Sequence, residues 1–210
     1  MAKMGICALC GSYKALLKSH IVPKFTVDWL KRTSATGYLR DSLRPNVRKQ
    51  DGPKQRLLCA DCEGLFSIFE NKFAERIWVP YQDELCDNFE YEEWLRLFAI
   101  SLAWRIGTVN IEGLRAEHSG STKLIKSVDE ALSSWGAFLL NKSSNPGPYD
   151  HHMFFVNHVN VPDEAKPALP DNFLIYLRRS FDATIAGSSA SVSTYTKLPG
   201  IIFFSSIRPK

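Results

Sequence analysis

Two Cys-x-x-Cys pairs, Cys7-Ala8-Leu9-Cys10 and Cys59-Ala60-Asp61-Cys62, stand on either side of a Lys18-Ser19-His20-Ile21-Val22-Pro23 segment. Four thiolates delivered as two close pairs suit the tetrahedral preference of Zn²⁺, so Cys7, Cys10, Cys59 and Cys62 are expected to hold one structural zinc ion. The plain alternative is a set of reduced, buried cysteines with chance spacing. Disulfides fit less well, because Met1-Ala2-Lys3-Met4-Gly5-Ile6 has no apolar leader region, and the expected compartment is the reducing cytoplasm. Cys86 falls outside both pairs and is expected as a small buried hydrophobe. Between the pairs, His20 is the residue type that takes and gives protons near neutral pH, and an extended segment pinned by zinc could present its imidazole as a general base. Alternatively its ring packs beneath the finger.

These side chains need elements to position them. The second pair is followed by Glu63-Gly64-Leu65-Phe66-Ser67-Ile68-Phe69-Glu70-Asn71-Lys72-Phe73, an amphipathic run that predicts a helix beginning around Cys62. A knuckle, an extended segment and then a Cys pair at a helix start is the outline of a treble-clef zinc finger. Phe25 to Arg32 predicts a short helix after Pro23, and the polar, basic stretch Gly37 to Lys54, broken by Pro45, Gly52 and Pro53, predicts a loop or irregular hairpin. Residues 77–145 read as helical: Glu92 to Ile106 is apolar nearly all round, and Ser121 to Asn141 carries Leu124, Val128, Leu132, Trp135 and Leu139 at helical spacing. After Ser143-Ser144-Asn145-Pro146-Gly147-Pro148 the pattern predicts strands at Met153 to Val156, Phe173 to Leu177, Ala183 to Ala186, Ser191 to Thr196 and Gly200 to Phe204, with Pro162 to Pro170 as a connection. The expected architecture is therefore α+β: a zinc module over residues 1–76, a helical segment over 77–145, and a small antiparallel sheet over 146–210 packed on the helices.

The composition, 45% hydrophobic and 12% aromatic, is ample for a core, and no run approaches a membrane span. The net charge of +4 hides a division. Residues 1–60 carry 12 Lys/Arg against three Asp/Glu, and residues 61–100 carry three against ten. Either the basic part is a phosphate-binding surface, or the two parts dock on each other.

The arrangement resembles the HNH endonuclease family, whose zinc-bearing members read Cys-x-x-Cys, then Asp-His-Ile-x-Pro, then Leu-Cys-x-x-Cys followed by Asn or His. The matching stretches are Cys7 to Cys10, Ser19-His20-Ile21-Val22-Pro23 and Leu58-Cys59-Ala60-Asp61-Cys62-Glu63, about the first third of the chain. The resemblance implies a ββα-metal module in which His20 deprotonates the water that attacks a phosphodiester and Glu63 helps hold a catalytic Mg²⁺ or Mn²⁺. It also implies a nucleic-acid partner, DNA before RNA, whose phosphates Lys18, Lys24, Arg44, Arg48 and Lys49 would meet. Two positions depart from the pattern. Ser19 stands where the family has Asp, and the family's middle Asn has only Gln55 or Asn46 as nearby substitutes.

Glu63 has a second reading, as an acid in the first helical turn that complements the helix dipole. Glu70, seven residues on, could join a metal site or be a salt-bridged carboxylate. His151, His152 and His158 lack paired cysteines or a carboxylate at ligand spacing and do not predict a second metal site. Two function classes follow: a metal-dependent endonuclease, or a catalytically silent finger that binds nucleic acid or a protein partner, as a subunit of a defence or mobile-element complex would.

Overall fold

A computed structural model describes residues 3–86, 88–117, 122–187 and 191–207, and shows a mixed α+β protein with small antiparallel sheets. Strands β1 (Lys3–Ile6) and β2 (Tyr13–His20) form a hairpin, and β5 (Lys54–Cys59) joins its other side to give the order β1-β2-β5. Helix α1 (Lys24–Arg32) and a two-stranded hairpin of β3 (Leu39–Arg40) and β4 (Arg48–Lys49) occupy the excursion between β2 and β5. Its neck is closed where the Ile21 amide donates to the Pro53 carbonyl at 3.0 Å.

Helix α2 (Ala60–Phe73) follows β5 directly and buries Cys62, Phe66, Phe69 and Phe73, the spacing that puts one helical face against a core. It runs on through a π-helical turn at Ala74–Trp78 into α3 (Val79–Gln82). Helix α4 (Glu93–Glu117) is the central rod, and its buried run from Phe98 to Gly107 explains why its sequence is apolar on all sides. Helix α5 (Thr122–Leu139) packs along it; a Cβ at Gly107 would come within 2.6 Å of Leu132 Cδ2, so a glycine is what lets the two helices approach. Ser121, where the sequence pattern starts this helix, lies outside the described residues.

The C-terminal part forms a four-stranded antiparallel sheet, β6 (His151–Phe155), β9 (Ile201–Ser206), β8 (Val192–Leu198) and β7 (Asp182–Gly187) in spatial order. Gly200, at φ +76°, makes the tight β8–β9 turn that a side chain would strain. One continuous hydrophobic cluster runs through all three segments. At its centre Phe73 of α2 stacks on Phe98 of α4 at 4.1 Å, and Phe203 of β9 sets its ring edge-on to both, at 5.6 and 5.5 Å.

Two expectations are corrected. Phe173 to Leu177 is not a strand but the start of helix α6 (Phe173–Arg179); the Tyr176 amide bonds the Asn172 carbonyl, and a five-residue apolar run carries no periodicity that separates helix from strand. Cys86 is exposed, because the whole stretch from Asp83 to Cys86 stands off the core, and its thiol donates to the Asn88 carbonyl at 2.7 Å. Among the described residues, no helix is long and apolar enough to cross a membrane.

Candidate functional site

The first cysteine pair sits in the β1–β2 turn. There the Gly11 amide donates back to the Cys7 carbonyl at 2.9 Å, and Gly11 adopts φ +74°, so the turn folds tightly about the two thiols. The Ala8 amide donates to the Leu57 carbonyl at 3.0 Å and fastens this knuckle to β5. The second pair straddles the junction of β5 and α2, where the Cys59 amide donates to Cys7 Sγ at 3.3 Å.

All four sulfurs lie within 4.8 Å of one another, and Cys10 Sγ is 3.9 Å from Cys59 Sγ. A tetrahedral zinc with bonds of about 2.3 Å needs sulfurs about 3.8 Å apart, so the cluster has the dimensions of a structural zinc site. The protonation chemistry fits the same ion. Hydrogen bonds from Ser12 bring the Cys10 thiol down to about 6, while burial pushes the Cys62 thiol up. A desolvated thiol beside three others is costly to ionise alone, and a cation among them supplies the missing charge.

On β2, two neighbouring side chains look opposite ways. Ser19, fully buried, turns toward α2 and donates its hydroxyl to Glu63 Oε2 at 2.6 Å. His20 turns toward the 51–54 turn, where its Nε2 lies 2.9 Å from Asp51 Oδ1. Glu63 is thus joined to the strand through Ser19, and the ring of His20 is joined to Asp51. Asp51 also accepts the Gly52 amide at 2.8 Å and pairs with Lys54. Burial alone would raise its carboxyl, but Lys54, His20 and the Gly52 amide outweigh this and hold it well below the ordinary range. An ionised Asp51 can only accept, so it takes the Nε2 proton and leaves the lone pair of the ring on Nδ1.

Helix α4 reaches this site from behind. Arg105, 1% exposed, donates from Nη1 to the His20 carbonyl at 2.9 Å and from Nη2 to Glu70 Oε1 at 2.6 Å, with its guanidinium 5.1 Å from the Phe66 ring centre. Glu70 is therefore the salt-bridged carboxylate. Neither Asp51 nor Arg105 emerges from the sequence as part of the site. Asp51 stands in an Asp-Gly-Pro stretch that signals only a turn, and Arg105 reads only as an interruption of an apolar helix.

The basic residues divide. Lys18 is exposed on β2 with no ion pair among the described residues, and Arg48 lies over the Tyr38 ring at 5.2 Å. Lys24 pairs with Asp28 at 2.5 Å, and Lys49 and Arg44 meet Asp41 at 2.9 and 3.7 Å. His151, far along the chain, bonds Ser205 Oγ through Nδ1 at 2.8 Å. The chain matches no family model, no curated protein and no solved structure.

Proposed function

We propose that the chain is an HNH-type, metal-dependent endonuclease built on a treble-clef zinc module, hydrolysing nucleic-acid phosphodiester bonds, DNA before RNA. The observation that carries this reading is the 2.9 Å bond between His20 Nε2 and Asp51 Oδ1, which supports a histidine oriented by a carboxylate, its Nδ1 having no hydrogen-bond partner among the described residues. In this reading His20 Nδ1 accepts a proton from the attacking water, and the resulting imidazolium is stabilised by Asp51. Arg105 holds the backbone of His20, and Lys18 meets a phosphate of the substrate.

The donor set for a catalytic Mg²⁺ or Mn²⁺ is small: Glu63, with Oε1 free of a hydrogen bond among the described residues, and Ser19 beside it. One carboxylate together with substrate phosphates is a usual Mg²⁺ environment, so Glu63 would hold the ion on the side of β2 to which Ser19 turns, opposite to the side His20 faces, and the substrate phosphodiester would have to reach both. When bound, the ion would supply charge stabilisation to the leaving oxygen. The test is cleavage of plasmid DNA, single-stranded DNA and RNA by zinc-loaded protein with Mg²⁺ or Mn²⁺. His20→Ala should retain zinc and fold while losing about 10²–10⁴ in rate. Wild-type protein that cleaves none of these, or a variant that cleaves as fast as wild type, overturns the reading.

A second reading is favoured by Ser19 in place of a carboxylate and by the pairing of Lys24, Arg44 and Lys49 with carboxylates of the same chain. It makes the protein a catalytically silent finger for nucleic acid or a protein partner. Zinc-loaded protein that binds oligonucleotides with steep salt dependence and cleaves none would select it.

A further inference from the structure

The register of the β1-β2-β5 sheet defines what surrounds His20. Along β2 the side chains of Leu16, Lys18 and His20 share one side, because alternate residues of a strand do, while Ser19 turns the other way to Glu63. Residues directly opposite each other share a face as well: Lys18 stands across from Arg56, His20 from Lys54, and Leu16 from Lys3. The irregularity between Leu16 and Lys18 puts its extra residue in β5, so the alternation along β2 is kept.

His20 therefore sits at the end of a row of cations. Lys54 is answered by Asp51, whereas Lys3, Lys18 and Arg56 have no carboxylate partner among the described residues. Lys3 and Lys18 are exposed and Arg56 is half-buried. Like charges directly opposite on one face repel, so Lys18 and Arg56 form an unsatisfied pair until an anion lies between them. Arg56 is also held in place: its Nη1 donates to the Leu16 carbonyl at 2.9 Å, and its other N–H groups have no partner among the described residues. A guanidinium fixed at one nitrogen keeps further donors for a phosphate. Lys18 and His20 are two residues apart along the strand, about 7 Å between Cα atoms, so one phosphodiester can meet both the pair and the imidazole. Glu63 lies toward the other side of β2, which leaves negative charge on the His20 side to these cations.

We propose that Lys18 and Arg56 form a phosphate site on the His20 face of the sheet, seating one phosphate of a nucleic-acid backbone beside the imidazole, with Arg56 as the residue that orients it. The proposal rests on the reading of the substrate as a nucleic-acid phosphodiester. It does not require that His20 cleaves it.

The probe is a short fluorescein-labelled DNA duplex, titrated by anisotropy against zinc-loaded His20→Ala protein at about 50 mM salt without added divalent ion, so that binding is read apart from cleavage. In that background Arg56→Gln and Lys18→Gln should each weaken binding at least about tenfold, the effect of losing a hydrogen bond to a charged group. The double variant should lose clearly less than the product of the two, because both side chains grip one phosphate. Arg56→Lys keeps the charge and should recover part of the loss, while removal of an exposed cation after α5, Lys142→Gln, should leave binding as it was. Circular dichroism and zinc content check the fold of each variant. Three results overturn the proposal: no duplex binding at low salt, Arg56→Gln that binds as tightly as its parent, or losses that simply multiply, which means diffuse charge or a purely structural bond to Leu16. If wild type cleaves no nucleic acid but the coupled losses are found, the phosphate site stands and the endonuclease reading falls. If wild type cleaves and Arg56→Gln binds unchanged, the endonuclease reading stands and the phosphate site falls.

Discussion

His20 and Asp51 form a pair whose weight rests on the carboxylate. Asp51→Asn keeps the shape but offers an amide that can donate as well as accept, so the ring loses its fixed tautomer. On the endonuclease reading proposed above, cleavage should fall by at least about 10²-fold with zinc content unchanged, as single-turnover kinetics would show. Because its folded pKa is depressed, Asp51 contributes stability that is fully present above about pH 4 and is lost as the pH falls further. Acid unfolding of Asp51→Asn should therefore be less steep in that range than that of wild type. His151 gives a second titration. Burial, then the charge of Arg96, pushes its imidazole down from 6.5 to about 4. Between those values the unfolded chain binds a proton that the folded one refuses, so stability should drop as pH falls, by at most about 1.4 kcal/mol per pH unit. Denaturant titrations at pH 7 and pH 4.5 should differ for wild type and converge for His151→Asn.

Among the elements, α4 is the one whose role is wider than packing. Among the described residues, Arg105 is the charged side chain of α4 that ties it to β2 and α2, through the His20 carbonyl and Glu70. Removing one member of a buried ion pair strands the other, so Arg105→Met should cost about 3–5 kcal/mol in chemical unfolding, and Glu70→Gln less, since an amide can still accept. Helices were legible where a repeating apolar stripe ran for several turns, as in α2, α4 and α5, and the strands β6 to β9 showed through their short β-branched and aromatic runs. Helix α6 was not, because Phe173-Leu174-Ile175-Tyr176-Leu177 is apolar without a period. The four cysteines were legible because metal coordination dictates spacing. Asp51 was hidden because its contact with His20 depends on a turn closing across the sheet, and the hydrogen bond of Ser19 to Glu63 was hidden because only the pleat decides which neighbour on β2 faces the helix.

For the whole molecule, the four-cysteine cluster and the Phe73–Phe98–Phe203 stack are two ends of one structure. Phe98→Ala opens the centre of the stack and should destabilise by about 3–5 kcal/mol, measured by calorimetry. Stripping metal with a strong chelator should unfold the first part of the chain and lower the melting temperature of the rest, since α2 carries both Cys62 and Phe73. The closed neck at Ile21 and Pro53 has a different kind of consequence. Chain that leaves and returns at one point behaves as a cassette: the frame bears the cost of bringing its ends together, and lengthening such a loop adds only about 0.6 kcal/mol per doubling. The tip of this excursion, from Gly37 to the start of β4, could be exchanged for a longer or shorter segment without moving a single cysteine. A scaffold of this kind can acquire a new recognition loop while its cysteines, its histidine and its interior stay in place.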